Sequence, residues 1–586
     1  MKKKQKKGMT RRDFVKAVAV AGVAAGTTGL MTSCGSDSSP LSADVIYYNG
    51  KIITLNNQNQ IASAVAVKDG KFLKIGSDDE IKRLAGLSTK LIDLKGKTVI
   101  PGFIDAHTHP METSMMIESW VDCRYPETPS VAQALKNIQK WIKDKNVPKG
   151  DWVFAVAVSA SQNKFAEKRL PTKEELDSVG PDNPICLSNG THMAVVNSLA
   201  LKVLGITKGV SKLPHGGTAQ LDADGNPTGV LTDAMSDVPT TPTIQQLQEY
   251  YSKGIQEIWN KHGFTSLMAI TPAAALPVLQ AVSKTNKPTI RFNVSVWTSA
   301  NGAEMPQDVS KYAMPKEADP NFYRFIAIKV WVDGENDART GYMYEPYIGS
   351  QPIDPPGNRG SLVTPQAEAN KFAMIAGKNG VIPMLHVSGD AAMDIGLNAY
   401  DELIKAGLNK NIMRLEHFGL FQMMPQQLQR AVAMKKQGLI ISVQPVWMLD
   451  LIKADYENMG PERTETGFRF KTMIDAGLEP AASTDVTGVY IDNLNPFLGI
   501  YASVTRDSDY GIFLPNEAIS VIDALKMWTI WAAKSIGFDD KVGSIEEGKF
   551  ADMTVLSDDV LTIDKKKLKD VSIVHTIVGG NIVYSA

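Results

Sequence analysis

Pro101-Gly102-Phe103-Ile104-Asp105-Ala106-His107-Thr108-His109 is the stretch on which the fold turns. An apolar run opened by Pro-Gly ends in two histidines one residue apart. Residues two apart on a strand point to the same side, so His107 and His109 can both reach one ion. Imidazoles of this kind suit zinc and neighbouring divalent metals without any thiolate. A strand apolar along its length and polar only at its C-terminal end predicts a buried parallel strand that delivers chemistry at one face.

Working outward, eight apolar, β-branched runs have the spacing of strands buried on both faces: 98–104, 264–270, 289–296, 325–332, 381–387, 412–415, 439–443 and 478–483. Helical patterns separate most of them, for example 364–378 and 425–436. Eight alternations of strand and helix predict an α/β fold, a (β/α)8 TIM barrel over 100–490. About 150 residues separate the first run from the second. That is too long for one βα connection and predicts an inserted subdomain over 111–260.

Polar residues fall at the same ends of these runs. Of eight histidines, His107, His109, His386 and His417 follow apolar stretches; Lys329 lies within the fourth run and Asp485 closes the eighth. In a parallel barrel these six groups converge on one mouth. Lys329 is unusual there, because an unpaired buried ammonium is costly. Carbamylation would turn it into an anionic oxygen ligand; otherwise it pairs with Asp333 or a substrate carboxylate. Taken singly, each residue has a plainer reading: His107 capping a helix or bonded in a core, Asp485 capping the next helix, Lys329 at the surface. The joint placement on five strands is what favours a metal site.

Short strands with turns at Asn49-Gly50 and Asp69-Gly70 occupy 43–99, and similar strands recur over 541–586. The two sets predict one small composite β-sandwich domain built from both ends of the chain, with closing helices over 491–540. Residues 1–34 read as a twin-arginine signal peptide. A basic stretch from Lys2 to Lys7 precedes Arg11-Arg12, an apolar segment from Ala17 to Met31, and Cys34, which stands where a lipobox carries its lipidated cysteine. Met31 departs from the preferred lipobox residue. A polar linker follows over 35–42. The expectation is therefore export to the periplasm, with a lipid anchor at the N-terminus as the one membrane contact.

The formal charge is −1, with 62 Lys and Arg against 63 Asp and Glu. Such a balance offers no basic field for nucleic acid. Beyond Cys34 only Cys123 and Cys186 remain, too few for a disulfide framework, and two buried free thiols are expected. The expected partner is a small molecule, and a homo-oligomer remains open. Trp120, Trp152, Phe154 and Phe165 in the insertion suit either a subdomain core or an apolar substrate wall.

These motifs resemble the amidohydrolase superfamily, and within it amidohydrolase family 3, the YtcJ-like branch. The likeness rests on 101–109, Lys329-Val330-Trp331-Val332-Asp333-Gly334, His386-Val387-Ser388-Gly389-Asp390, Arg414-Leu415-Glu416-His417, Ser483-Thr484-Asp485, His192 to Leu201 and Gly543 to Asp552. It implies a metal-dependent hydrolase of carbon–nitrogen bonds other than peptide bonds, carrying one or two divalent ions, usually zinc. His107, His109 and Asp485 would hold the more buried ion, His386 and His417 the other, and carbamylated Lys329 would bridge them. Metal-activated hydroxide would attack the amide-type carbon, and catalytic Asp485 would shuttle the proton. His192 would touch substrate, or else serve a structural hydrogen bond. Thr484 and the charged stretch Glu335 to Thr340 depart from the pattern, which points to a different substrate. The competing readings are a decayed barrel that binds a metabolite on an exported lipoprotein, and a metal-dependent deaminase or cyclic amidase.

Overall fold

The computed structural model describes residues 42–158, 164–190, 193–214, 217–232, 234, 237–240, 242–298, 305–349, 356–487 and 490–586. The leader and lipobox expectations fall on 1–41, and His192 on 191–192; both lie outside the described residues.

Eight parallel strands form one sheet in the order of the chain. They are β1 (Phe103–Thr108), β2 (Phe264–Pro272), β3 (Arg291–Trp297), β4 (Tyr323–Trp331), β5 (Ile382–His386), β6 (Met413–Glu416), β7 (Leu439–Val443) and β8 (Ala481–Ala482). Residues just beyond β8 close the barrel onto β1: Asp485 N–H donates to His107 O at 2.9 Å and His109 N–H to Val486 O at 3.2 Å. The strands are buried over most of their length, as helices cover the outside and side chains fill the inside.

The first apolar run differs from the sequence expectation. Residues 98–104 do not form one strand. Thr98–Pro101 pairs with Lys51–Ile53 and Met553–Leu556 in another sheet, and the barrel begins at Phe103. Gly102 is the switch point. A Cβ there would lie 2.3 Å from the Thr265 side chain, so only glycine lets the chain cross between layers. The same correction moves His107 into β1 instead of beyond it.

The switched strand belongs to a six-stranded sheet that takes three strands from each end of the chain: Ile61–Ala62, Lys51–Ile53, Thr98–Pro101, Met553–Leu556, Ile573–Val578 and Asn581–Ser585. A four-stranded sheet of Ala43–Tyr48, Ala64–Lys68, Lys71–Gly76 and Ala85–Asp93 lies beside it. Val45, Val67, Phe72, Val99, Met553 and Ile577 share one buried cluster across the two. The composite domain is tied to the barrel by a buried ion pair, Arg291 to Asp552 at 2.7 Å.

Between β1 and β2 the chain builds another six-stranded sheet, running from Val121–Asp122 to Pro227–Thr232. Cys123 and Cys186 are buried free thiols there. Trp120, Phe154 and Trp152 stack in a row, with ring centroids 5.3 and 5.5 Å apart, and Phe165 is fully buried. Phe165 packs the core of the insertion, Trp120 joins the barrel's buried cluster and Phe154 borders both, and none of the four lines the cleft at the barrel mouth. No helix among the described residues is long and apolar enough to cross a membrane.

Candidate active site

Five of the six sequence-predicted groups arrive on strand ends: His107 and His109 from β1, Lys329 from β4, His386 from β5 and His417 just past β6. Asp485 lies three residues beyond β8. It does not cap a helix, because Asn495 caps the next α-helix, Pro496–Thr505. All six side chains are buried or nearly so.

The ligand atoms fall into two groups, each within 4.8 Å: His107, His109 and Asp485, and then Glu335, His386 and His417. Asp485 spans both. Its Oδ1 is 3.3 Å from His107 Nε2 and 3.4 Å from His109 Nε2, while Oδ2 is 3.7 Å from His417 Nε2. Glu335 was not foreseen as a ligand. It stands in the charged stretch after β4, with Oε1 3.7 Å from His386 Nε2. The sequence signal was that excess of charge, although strand-end logic stops at Lys329 and cannot say which loop carboxylate turns inward.

Neighbouring side chains set the tautomers. Glu416 Oε2 lies 2.6 Å from His107 Nδ1, and Gln444 Oε1 lies 2.7 Å from His417 Nδ1. An amide or carboxylate oxygen can only accept, so both rings donate from Nδ1 and leave Nε2 for the site. Glu416 is itself gripped by Arg414 through two bonds of 2.9 and 2.8 Å. Trp447 stacks on His417 with centroids 5.4 Å apart and planes 3° from parallel.

The backbone is also committed. His417 and Asp485 have φ of 66° and 46°, the left-handed region that costs a non-glycine residue energy. Asp105 helps to hold the second of these. It accepts from Thr484 N–H at 3.0 Å, Thr484 Oγ1–H at 2.7 Å and Trp259 Nε1–H at 2.9 Å. Thr484 is therefore fully buried and ties β1 to the end of β8. Its departure from the family pattern serves packing and not substrate contact.

Lys329 is buried at the centre, with Nζ 2.8 Å from His107 Nε2 and 3.4 Å from His109 Nε2. It does not pair with Asp333. That carboxylate accepts instead from the N–H groups of Ser388, Gly389 and Tyr342 at 3.0, 2.7 and 2.8 Å. Asp333 thus clamps the loop after β4 to the loop after β5 and fixes where Glu335 starts. Gly389 permits the approach, since a Cβ there would lie 2.0 Å from Tyr342 O.

Burial governs the charge states. It lowers the Lys329 pKa, against the pull of Asp485 and Glu416. Burial first, and then Lys329, hold His107 and His109 well below the ordinary histidine value; burial and His107 do the same to His417. Burial raises Asp485 to about 7, with Lys329 opposing, and raises Glu335 well above the ordinary value. Neutral imidazole is the ligating form. His417 Nε2 and Asp485 Oδ1 are buried without a hydrogen-bond partner. Buried polar atoms normally find one, so this donor set fits a divalent cation.

A cleft of about 610 Å³, open to solvent, leads into this centre, lined by Glu335 and Asp485 together with Asp337, Trp447, Asp450 and Tyr490. Helix Met448–Met459 and the segments after β4 and β8 form its walls.

Relatives carry the same architecture. The chain is 27% identical over 559 residues to the putative amidohydrolase YtcJ of Bacillus subtilis, covering 92% of this chain and 99% of that one. It is 27% identical over 558 residues to the N-substituted formamide deformylase of Arthrobacter pascens, covering 92% and 98%. An uncharacterized metal-dependent hydrolase from Pyrococcus horikoshii superposes with a TM-score of 0.69 at 24% identity, over 89% of this chain and 99% of that one. The family model described as the amidohydrolase family matches residues 90–584, and the chain belongs to that family.

Proposed function

We propose that this amidohydrolase hydrolyses the carbon–nitrogen bond of a small substituted amide, using two divalent ions held at the barrel mouth. The observation that carries the reading is a pair of three-residue ligand groups that Asp485, a member of the first, spans, with a buried oxygen that has no hydrogen-bond partner. His107, His109 and Asp485 would hold one ion, and Glu335, His386 and His417 the other. Imidazole and carboxylate donors favour zinc among the common divalent metals. A divalent ion bound there supplies Lewis acidity and lowers the pKa of a water from about 15.7 to about 7.

The chain's own groups do the rest. Asp485 accepts a proton on its carboxylate and returns it to the departing nitrogen. Glu416 and Gln444 hold two imidazoles in the ligating orientation. Lys329, whose burial lowers its pKa, would add to carbon dioxide as the free amine: an N–C bond forms, a proton leaves, and the carbamate would offer oxygen to the ions held by the two groups. Support for an amide substrate comes from the formamide deformylase relative, whose name states that activity.

The test is metal content per chain of the purified protein, beside turnover of N-alkyl formamides. About two ions per chain with hydrolysis is the expected result. One ion would assign the work to the first group alone, and no ion after reconstitution would overturn the reading in favour of a binding protein. Incubation with carbon-13 carbon dioxide should add a carbamate carbon resonance that Lys329→Met lacks.

We also infer that the chain is exported and acts on a small molecule outside the cytoplasm, from Arg11-Arg12, the apolar segment and Cys34. Fractionation of cells expressing the full chain tests this. Replacing Arg11-Arg12 with two lysines should retain the protein in the cytoplasm, and Cys34→Ala should release it from the membrane fraction.

A further inference from the structure

We propose that the substrate carries a protonated amine beyond its scissile bond, held between Asp337 and Asp450 and against the rings of Trp447 and Tyr490. The inference rests on the amide-hydrolase reading above and names the class of substrate for that same site: the acylated derivative of a diamine or a similar cationic amine.

The cleft carries its charge on one side of the ledger. Four carboxylates line it, Glu335, Asp337, Asp450 and Asp485, and no lysine or arginine is among the described lining residues. Glu335 and Asp485 belong to the ligand groups. Asp337 and Asp450 do not, and they rise from separate walls. Asp337 follows β4, and Asp450 lies in the first turn of helix Met448–Met459. Among the described residues no donor hydrogen-bonds to the Asp450 carboxylate.

Its charged surroundings are Lys164, which attracts it, and Asp492 and Asp509, which oppose its ionisation or are opposed by it. Beside Asp450, away from the ligand groups, carboxylates outnumber the one lysine, so a cation is favoured there over an anion. The cleft opens onto the ligand groups. Asp485, with its side chain 9% exposed and Oδ1 unpartnered, opens into it.

The aromatic lining fits the same cation. Tyr490 already takes an ammonium over its face, since Lys164 Nζ stands 5.3 Å from the ring centroid. Trp447 shares the cleft, and its orientation is set by stacking on His417. Carboxylates paired with aromatic faces form the usual means of holding an alkylammonium group. Among the described lining residues none carries a positive charge.

The test compares three amides of similar length on the metal-loaded full chain: mono-N-formyl diaminobutane, neutral N-formylpentylamine and anionic N-formylaminobutanoate. Binding of butylammonium, followed by calorimetry, is measured in parallel and does not depend on turnover. The expected result is a kcat/KM about tenfold higher for the cationic amide than for the neutral one, with the anion poorest. That ratio should fall toward one in Asp450→Asn, and by a smaller factor in Asp337→Asn, which guards against misfolding in either variant alone. Equal or better use of the neutral amide would overturn the inference while leaving the hydrolase reading intact. Butylammonium binding that Asp450→Asn abolishes, with no amide turned over, would uphold the inference and sink the reaction. Absence of both butylammonium binding and a preference for the cationic amide would overturn it.

Discussion

The two ligand groups are built differently. His107 stands on a barrel strand, with His109 one residue past its end, and His107 is backed by Glu416 and Arg414, these three fully buried. In the second group Glu335 comes from a loop, and His417 sits at a left-handed residue just past its strand. His417 is backed by a neutral amide, Gln444, and by the face of Trp447. In the first group only His107 is held by strand geometry and charge, for His109 and Asp485 also lie just past strand ends, Asp485 at φ 46°. The second depends on loop contacts, above all the clamp made by Asp333. A loop-borne residue is the easier one to vary, and here Glu335 also lines the cleft.

Variants can break or sharpen that contrast. The largest effect is expected from His107→Ala with His109→Ala, which removes two donors from the first group. Activity should fall at least about a thousandfold, and metal content should drop by one ion or more. A double variant that keeps full metal would refute the first group as a site.

Next is Glu335→Gln, a neutral change of the same shape. We expect one ion to be lost and kcat to fall about a hundredfold while the other ion stays, as read by elemental analysis beside kinetics. Unchanged stoichiometry would remove Glu335 from the ligand set and return the second group to two histidines.

Glu416→Gln tests the backing of the first group. It should weaken metal affinity by about 10–100-fold, whereas Gln444→Leu, behind the second group, should cost less. Chelator competition measures both. The reverse ranking would mean that the second group is the better organised of the two.

The smallest effect concerns stability. Thr484→Val removes the hydroxyl that bonds Asp105 at 2.7 Å and should cost about 1–3 kcal/mol, because a buried carboxylate oxygen loses a donor. Urea denaturation is the measurement. No change would mean that the backbone bonds from 484–486 close the barrel without that hydroxyl.

The barrel and most of the first group were legible because their signals are local. A strand buried on both faces must be apolar throughout, and a polar residue at its C-terminal end then stands out, as His107, His386 and Lys329 do. The departure at Thr484 was visible, but its meaning was not. Its partner, Asp105, is 379 positions away in the chain, and only barrel closure brings the two together. Asp333 entered the sequence reading only as an alternative partner for Lys329, since nothing local marks a carboxylate that takes three backbone N–H groups.

By itself the sequence determined the fold class, the six strand-end groups and the family, because burial and strand periodicity act over a few residues and several motifs occur in order. Only the tertiary structure decided that Glu335 joins the second group, that Asp485 stands between the two, and that Asp337 and Asp450 face one cleft. Those facts rest on loop paths, and a loop's path is set by contacts with distant segments, such as the Asp333 clamp and the bonds from Asp485 and His109 that close the barrel.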